Sequence, residues 1–152
     1  MRIAFVRHGE RRKNETDPEL TSFGFRMVEE TSQWLSGFGF IPDLALSTPT
    51  IRTQQTATTL LGRFPHVSIE RIEHAPETQA EWERWTQSLK NHHSAPNNVL
   101  LVGHHPTMEM LIQCYGPAQV VVSRHQFAVG LILQTAPETS WVLTHAWPGR
   151  TS

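Results

Sequence analysis

The sequence predicts an α/β domain layered around a mostly parallel sheet. Short apolar runs of strand length, Ile3–Val6, Leu44–Leu46 and Val99–Val102, alternate with segments of helical length and periodicity. The runs are continuously apolar rather than alternating, as in strands covered on both faces. Each run also leads into a turn and then a helix, the junction where ligands bind in open α/β sheets.

The elements follow in order. Arg2 to Arg7 forms the first strand, and Asn14 to Glu19 is a polar loop. Thr21 caps a helix running to about Ser36, with Phe25, Val28, Trp34 and Leu35 toward one side. Gly37 and Gly39 end it. Asp43 to Ser47 is a second strand, and Pro49 occupies the first turn of a helix reaching Leu61. Val67 to Ile72 is a strand, and Glu81 to His92 a helix carrying Trp82, Trp85 and Leu89. Val99 to Val102 is another buried strand, with Pro106 opening a helix through Cys114. Phe127–Leu133 and Trp141–Trp147 form a hairpin around a polar turn containing Pro137.

Bulk properties narrow the functional classes. The chain has 152 residues, of which 38% are hydrophobic and 18% charged, a balance that expects one globular domain over residues 1–152. A formal net charge of -1 offers no global basic field for nucleic acid or an anionic membrane. Any anionic substrate must therefore be drawn by locally placed cations. Cys114 is the one cysteine, so no internal disulfide forms. The apolar run at the start is too short for a signal-peptide core, and no stretch has transmembrane length. The expectation is a soluble, cytoplasmic protein.

Three strand-to-helix junctions carry unusual chemistry. In FVRHGE a strand delivers Arg7 and His8 to its C-terminal end, where Gly9 permits a tight turn. A neutral imidazole there can act as a nucleophile, and the guanidinium beside it can hold an anionic oxygen. Alone, the motif is equally an ordinary surface Arg-His pair. In LALSTPTIRTQQTA, Arg52 falls near the first turn of a helix, whose free N–H groups favour phosphate. Its planar fork of donors matches phosphate oxygens, although a solvated arginine on a helix is the commoner fate.

In VLLVGHHPT, His104 follows the glycine and is better placed than His105 to face a ligand. Adjacent histidines can suggest a metal. Neighbouring side chains diverge, however, and no carboxylate stands nearby at ligand spacing, so no metal site is assigned. Together the junctions place two histidines and two arginines at the ends of buried strands. That set suits a phosphoryl group with its spread negative charge. Trp34, Trp82, Trp85, Trp141 and Trp147 are read as packing residues and His92-His93 as a solvated helix end. The Arg11-Arg12-Lys13 run is a charged loop close enough to His8 to steer anions.

These motifs resemble the histidine phosphatase superfamily, the phosphoglycerate mutase-like family. FVRHGE resembles its R-H-G element, LSTPTIRTQQTA its S-x-x-x-R-x-x-Q-T-A segment, VGHHPT its later G-H segment, and LTSFGFR its L-T-x-x-G stretch. The matches run in family order from residue 3 to about 107. The short length looks most like the SixA-type phosphohistidine phosphatases. The resemblance implies a three-layer α/β/α sandwich, His8 as nucleophile, and Arg7, Arg52 and His104 as the rest of the phosphate pocket. It implies no metal and no organic cofactor.

By position, Glu73 in RIEHAPETQAEW aligns best with the family's acid, with Glu77 second. The G-x-x-G-like pattern of the larger enzymes does not follow it. Asn14, six residues after His8, keeps a spacing seen in the mutases and is a candidate phosphate ligand. The long substrate loop that follows in them is nearly absent here, which argues against mutase activity. The expected function is a phosphatase acting through phospho-His8 on a phosphohistidine protein. The alternatives are a small-molecule phosphomonoesterase or mutase-like enzyme, and a catalytically silent phosphate-binding module.

Overall fold

A computed structural model of the chain describes residues 1–92, 96–135 and 140–151. The polar turn expected at Pro137, and His93, lie outside them. The strands are β1 (Arg2–Arg7), β2 (Leu44–Ser47), β3 (Ile69–Arg71), β4 (Asn98–Gly103), β5 (Gln126–Phe127), β6 (Gly130–Thr135), β7 (Trp141–Trp147) and β8 (Arg150–Thr151). The helices are α1 (Ser22–Gly37), α2 (Ile51–Leu60), α3 (Gln79–Lys90) and α4 (His105–Tyr115). Among the described residues, six strands form one sheet in the order β3-β2-β4-β1-β6-β7, and β5 pairs separately with β8. β1, β2, β3 and β4 run parallel, whereas β6 is antiparallel to β1 and β7 to β6.

The continuous apolar runs have the cause the sequence suggested. Successive strand side chains point to opposite faces, and both faces are covered. Ile3, Phe5, Leu44, Leu46, Val99 and Leu101 pack with Trp82 and Leu89 of α3 and Met108 and Leu111 of α4. Ala4, Val6, Ala45, Leu100 and Val102 pack with Met27, Val28 and Leu35 of α1 and Ala57 and Leu60 of α2. The result is an α/β/α sandwich with two apolar layers. Trp82 and Trp141 are buried in the first of these and meet edge to face at 5.5 Å.

Several boundaries differ from expectation for local reasons. α2 begins at Ile51 rather than at Pro49, because Thr50 caps it by accepting from Thr53 N–H. The helix then tightens into a 3₁₀ turn over Leu61–Arg63. Phe25 stands among the exposed hydrophobics; the inward stripe of α1 is Gly24, Met27, Val28, Thr31, Ser32 and Leu35. Phe127 belongs to the small β5–β8 ribbon, and β6 starts only at Gly130. Thr21 caps α1 as expected, accepting from Gly24 N–H.

Candidate active site

Register brings three strand ends level with one another. Arg7 is the partner of Gly103 across β1 and β4, so His8 and His104 emerge side by side. Their rings stand 5.5 Å apart, nearly edge to face. Ser47 is the partner of Val102, so Thr48 and the first turn of α2, which carries Arg52, come from the next strand.

His8 is held at several points. Its N–H donates to Gly103 O at 3.1 Å and its carbonyl accepts from Ala128 N–H at 3.0 Å. The ring is 4% exposed, and Nδ1 lies 2.7 Å from Gly9 O. A carbonyl only accepts, so Nδ1 carries the proton and Nε2 keeps its lone pair. Burial lowers the His8 pKa to about 3 despite the Gly9 contact, and the charges of Arg7 and Arg52 press the same way. The ring is neutral throughout the physiological range, as a nucleophile requires.

Arg7 is 7% exposed. Its Nη1 donates to Arg124 O at 2.6 Å and to Gln126 O at 2.7 Å, and its guanidinium covers the Phe127 ring at 4.5 Å. Phe127 also stands 6.0 Å from the His8 ring. Burial first, and then repulsion from Arg11, lowers the Arg7 pKa to about 10, which still leaves it charged. Arg52 Nη1 lies 3.8 Å from Asp17 Oδ1, which also accepts the Ile51 N–H at 3.0 Å. Burial and Arg11 lower the Arg52 pKa, and Asp17 opposes them. Among the described residues, Arg7 Nε and Arg52 Nε are buried donors with no hydrogen-bond partner. Donors of that kind suit an anion.

His104 occupies the N-cap position of α4 without a side-chain cap bond. Its Nε2 instead lies 2.9 Å from Thr48 Oγ1. Burial, followed by Arg52 and Arg7, lowers its pKa to about 4. His105 turns to Glu109 at 3.6 Å, one helical turn on. No group of three or more metal-type ligands gathers among the described residues.

The four junction residues Arg7, His8, Arg52 and His104 therefore come together. Glu73 and Asn14 do not join them in the same way. Glu73 pairs with Arg71 at 3.4 Å with its side chain 72% exposed, and Asn14 is exposed at a φ of 61° in the loop before α1. Glu77 is also exposed, just before the Thr78 cap of α3. Thr48, Asp17, Phe127 and the carbonyls of Arg124 and Gln126 were missed from sequence. Thr48 directly follows Ser47 within the quoted motif, which was a usable signal; the others had none.

Residues 3–73 match the family model of the histidine phosphatase superfamily (branch 1). Over that stretch, a little under half of the chain, the sequence is similar to that superfamily. The match supports a hydrolytic phosphatase activity. Solved structures share the fold over nearly the whole length. SixA of Agrobacterium tumefaciens, a proposed phosphohistidine phosphatase, is 23% identical with a TM-score of 0.70, covering 96% of each chain. The protein histidine phosphatase SixA in complex with tungstate is 18% identical with a TM-score of 0.76, covering 97% of each. A mycobacterial glucosyl-3-phosphoglycerate phosphatase in complex with VO3 is 16% identical with a TM-score of 0.70, covering 98% of this chain and 99% of its own. No curated protein sequence is significantly similar to this one. Within this fold, the R-H-G element runs from the end of β1 into the loop after it, and the G-H element from the end of β4 to the cap of α4.

Proposed function

We propose that the chain hydrolyses phosphoryl groups in two steps through phospho-His8, with a phosphohistidine protein as substrate. The observation that carries this is His8 itself: buried, held neutral, its Nδ1 directed to Gly9 O so that Nε2 keeps the lone pair, with the charges of Arg7 and Arg52 acting on the ring. In the first step the Nε2 lone pair attacks phosphorus in line. The Nε2–P bond forms as the bond from phosphorus to the leaving group breaks, and the leaving group departs with that electron pair. Arg7, Arg52 and His104 hold the three equatorial oxygens. Water then attacks phosphorus, the P–Nε2 bond breaks, and phosphate leaves with His8 restored. Dividing one displacement into two lowers each barrier.

Charge neutralisation falls to arginines, so the reaction uses no metal and no organic cofactor. The long substrate loop of the mutases is nearly absent, which suits a side chain on a protein surface better than a small metabolite that needs an enclosing pocket. We place this activity in a single cytoplasmic domain over residues 1–152, without nucleic-acid or membrane partners. Among the described residues, no helix is long and apolar enough to cross a membrane. A second reading, a small-molecule phosphomonoesterase, draws on the likeness to the glucosyl-3-phosphoglycerate phosphatase.

Rapid quench with labelled substrate tests the mechanism. Protein-bound phosphate should survive base, be lost in acid, and disappear in His8→Ala. A fully active His8→Ala enzyme would overturn it. A higher kcat/KM on phosphoglycerate than on a phosphohistidine protein would favour the second reading.

A further inference from the structure

The loop from Glu10 to Thr21 is a short ribbon tied to α2. Arg11 and Leu20 form an antiparallel bridge, Arg12 N–H donates to Glu19 O at 2.9 Å, and Thr21 N–H donates to Glu10 O at 3.0 Å. Gly9 N–H donates to Thr56 Oγ1 at 3.2 Å and Leu20 N–H to Gln55 Oε1 at 2.8 Å, fixing both ends to the helix that carries Arg52.

Bridge geometry separates the two arginines. Cross-strand partners share a face, and consecutive residues take opposite faces. Leu20 is buried, and its partner Arg11 lies on the same face of the ribbon but is exposed. Arg12 takes the outer face, where it pairs with Glu19 at 3.8 Å. Arg11 lies close enough to Arg7 and Arg52 for its charge to disfavour theirs. The exposed Arg11 thus adds a third positive charge near Arg7 and Arg52, and among the described ion pairs the one carboxylate facing them is Asp17 on Arg52.

Such repulsion is tolerated where an anion relieves it. A phosphoryl group carries about two negative charges, which Arg7 and Arg52 already match. The third cation is in excess. Resting on the phosphatase reading, we infer that Arg11 is a specificity-determining residue that binds a second anionic group on the substrate, beside the phosphoryl group. An acidic residue flanking a phosphorylated side chain has this chemistry.

Two phosphonates that no phosphatase cleaves at C–P separate this from catalysis. Methylphosphonate presents one anionic group; phosphonoacetate adds a carboxylate. Calorimetry should show phosphonoacetate binding the wild type about tenfold more tightly, the scale of one charge-assisted hydrogen bond. Arg11→Gln should erase that preference while leaving methylphosphonate affinity within about twofold, a change too small to count as a lost contact. Arg11→Lys should keep part of the preference and Arg12→Gln all of it. No preference in the wild type, no binding of either probe, or equal losses on both probes in Arg11→Gln would overturn the assignment. An Arg11-dependent preference in a protein that hydrolyses no phosphate compound would sink the phosphatase reading alone.

Discussion

His104 Nε2 lies 2.9 Å from Thr48 Oγ1, joining the residue after β4 to the residue after β2. Thr48 Oγ1 in turn donates to Thr53 Oγ1 at 2.9 Å, and Thr53 donates to Thr48 O at 2.9 Å. A hydroxyl has one proton to give, so with Thr48 donating onward, Nε2–H of His104 is the donor to Thr48. The protonated ring that a bound phosphoryl anion favours supplies a second N–H, on Nδ1, to its oxygen. Both threonines are buried, and water cannot replace a lost partner.

Thr48→Val keeps the shape and removes the hydroxyl. Stranding buried donors costs about 1–3 kcal/mol, so kcat/KM should fall about 10-fold or more. Thr48→Ser should restore most of it. The ¹⁵N shifts of His104 should report a changed tautomer population in the valine variant alone. Unchanged shifts together with wild-type kcat/KM would remove Thr48 from the positioning of His104.

The lowered histidine pKa values make stability sensitive to acid. The unfolded chain binds a proton at each histidine near the ordinary value of 6.5, whereas folded His8 resists until about 3 and His104 until about 4. Below about 6.5 the unfolded state therefore holds more protons, and acid favours it. Stability contributed by these rings is fully present above that pH and is lost as pH falls toward 3 to 4. For His8 the limiting slope is about 1.4 kcal/mol per pH unit. Urea midpoints should decline between pH 6.5 and 4.5, and less steeply in His8→Gln. Equal slopes would show that His8 is not held neutral.

A backbone contact beneath the nucleophile gives a packing prediction. A Cβ on Gly9 would meet Gly24 O at 2.6 Å, and one on Gly24 would strike Glu10 O. Gly24 lies in α1, so alanine there gains about 1 kcal/mol of helix propensity. Overpacking against a carbonyl costs more, about 1–3 kcal/mol, and the backbone must shift. Gly24→Ala should lower the urea midpoint and reduce kcat/KM together, because the displaced residues begin two positions after His8. A more stable, fully active variant would mean that the loop yields without cost.

The readable part of this site is the part carried by local pattern. His8, Arg52 and His104 each stand where an apolar strand gives way to a helix, and strand register then fixes their proximity. The clamp on Arg7 was not readable, because Arg124 and Gln126 lie 117 and 119 residues away in sequence. Phe127 was expected within a long hairpin strand, since apolar composition does not distinguish β6 from the short ribbon with β8. Phe25 misled for a related reason: an apolar residue beside an inward stripe need not lie in it.

Glu73 provides the last prediction. It is the sequence candidate for the general acid, yet here its carboxylate faces Arg71 across 3.4 Å at an exposed position. Exposed ion pairs contribute about 0–1 kcal/mol, so the pair is easily exchanged for another partner. An aliphatic alkoxide is a very basic leaving group, and a proton donor is worth about 10²- to 10⁴-fold in its expulsion. Phosphohistidine differs, because its imidazole can already carry a proton and departs as a neutral ring. If Glu73 is the acid, Glu73→Gln should slow alkyl phosphate hydrolysis by about 100-fold or more while changing phosphohistidine hydrolysis by less than about twofold. Vanadate affinity should hold, since Arg7, Arg52 and His104 are untouched. Equal losses on both substrates would assign Glu73 to holding the site's cations in place through Arg71. No loss on either would pass the role to Glu77, to be tested by the same pair of substrates in Glu77→Gln.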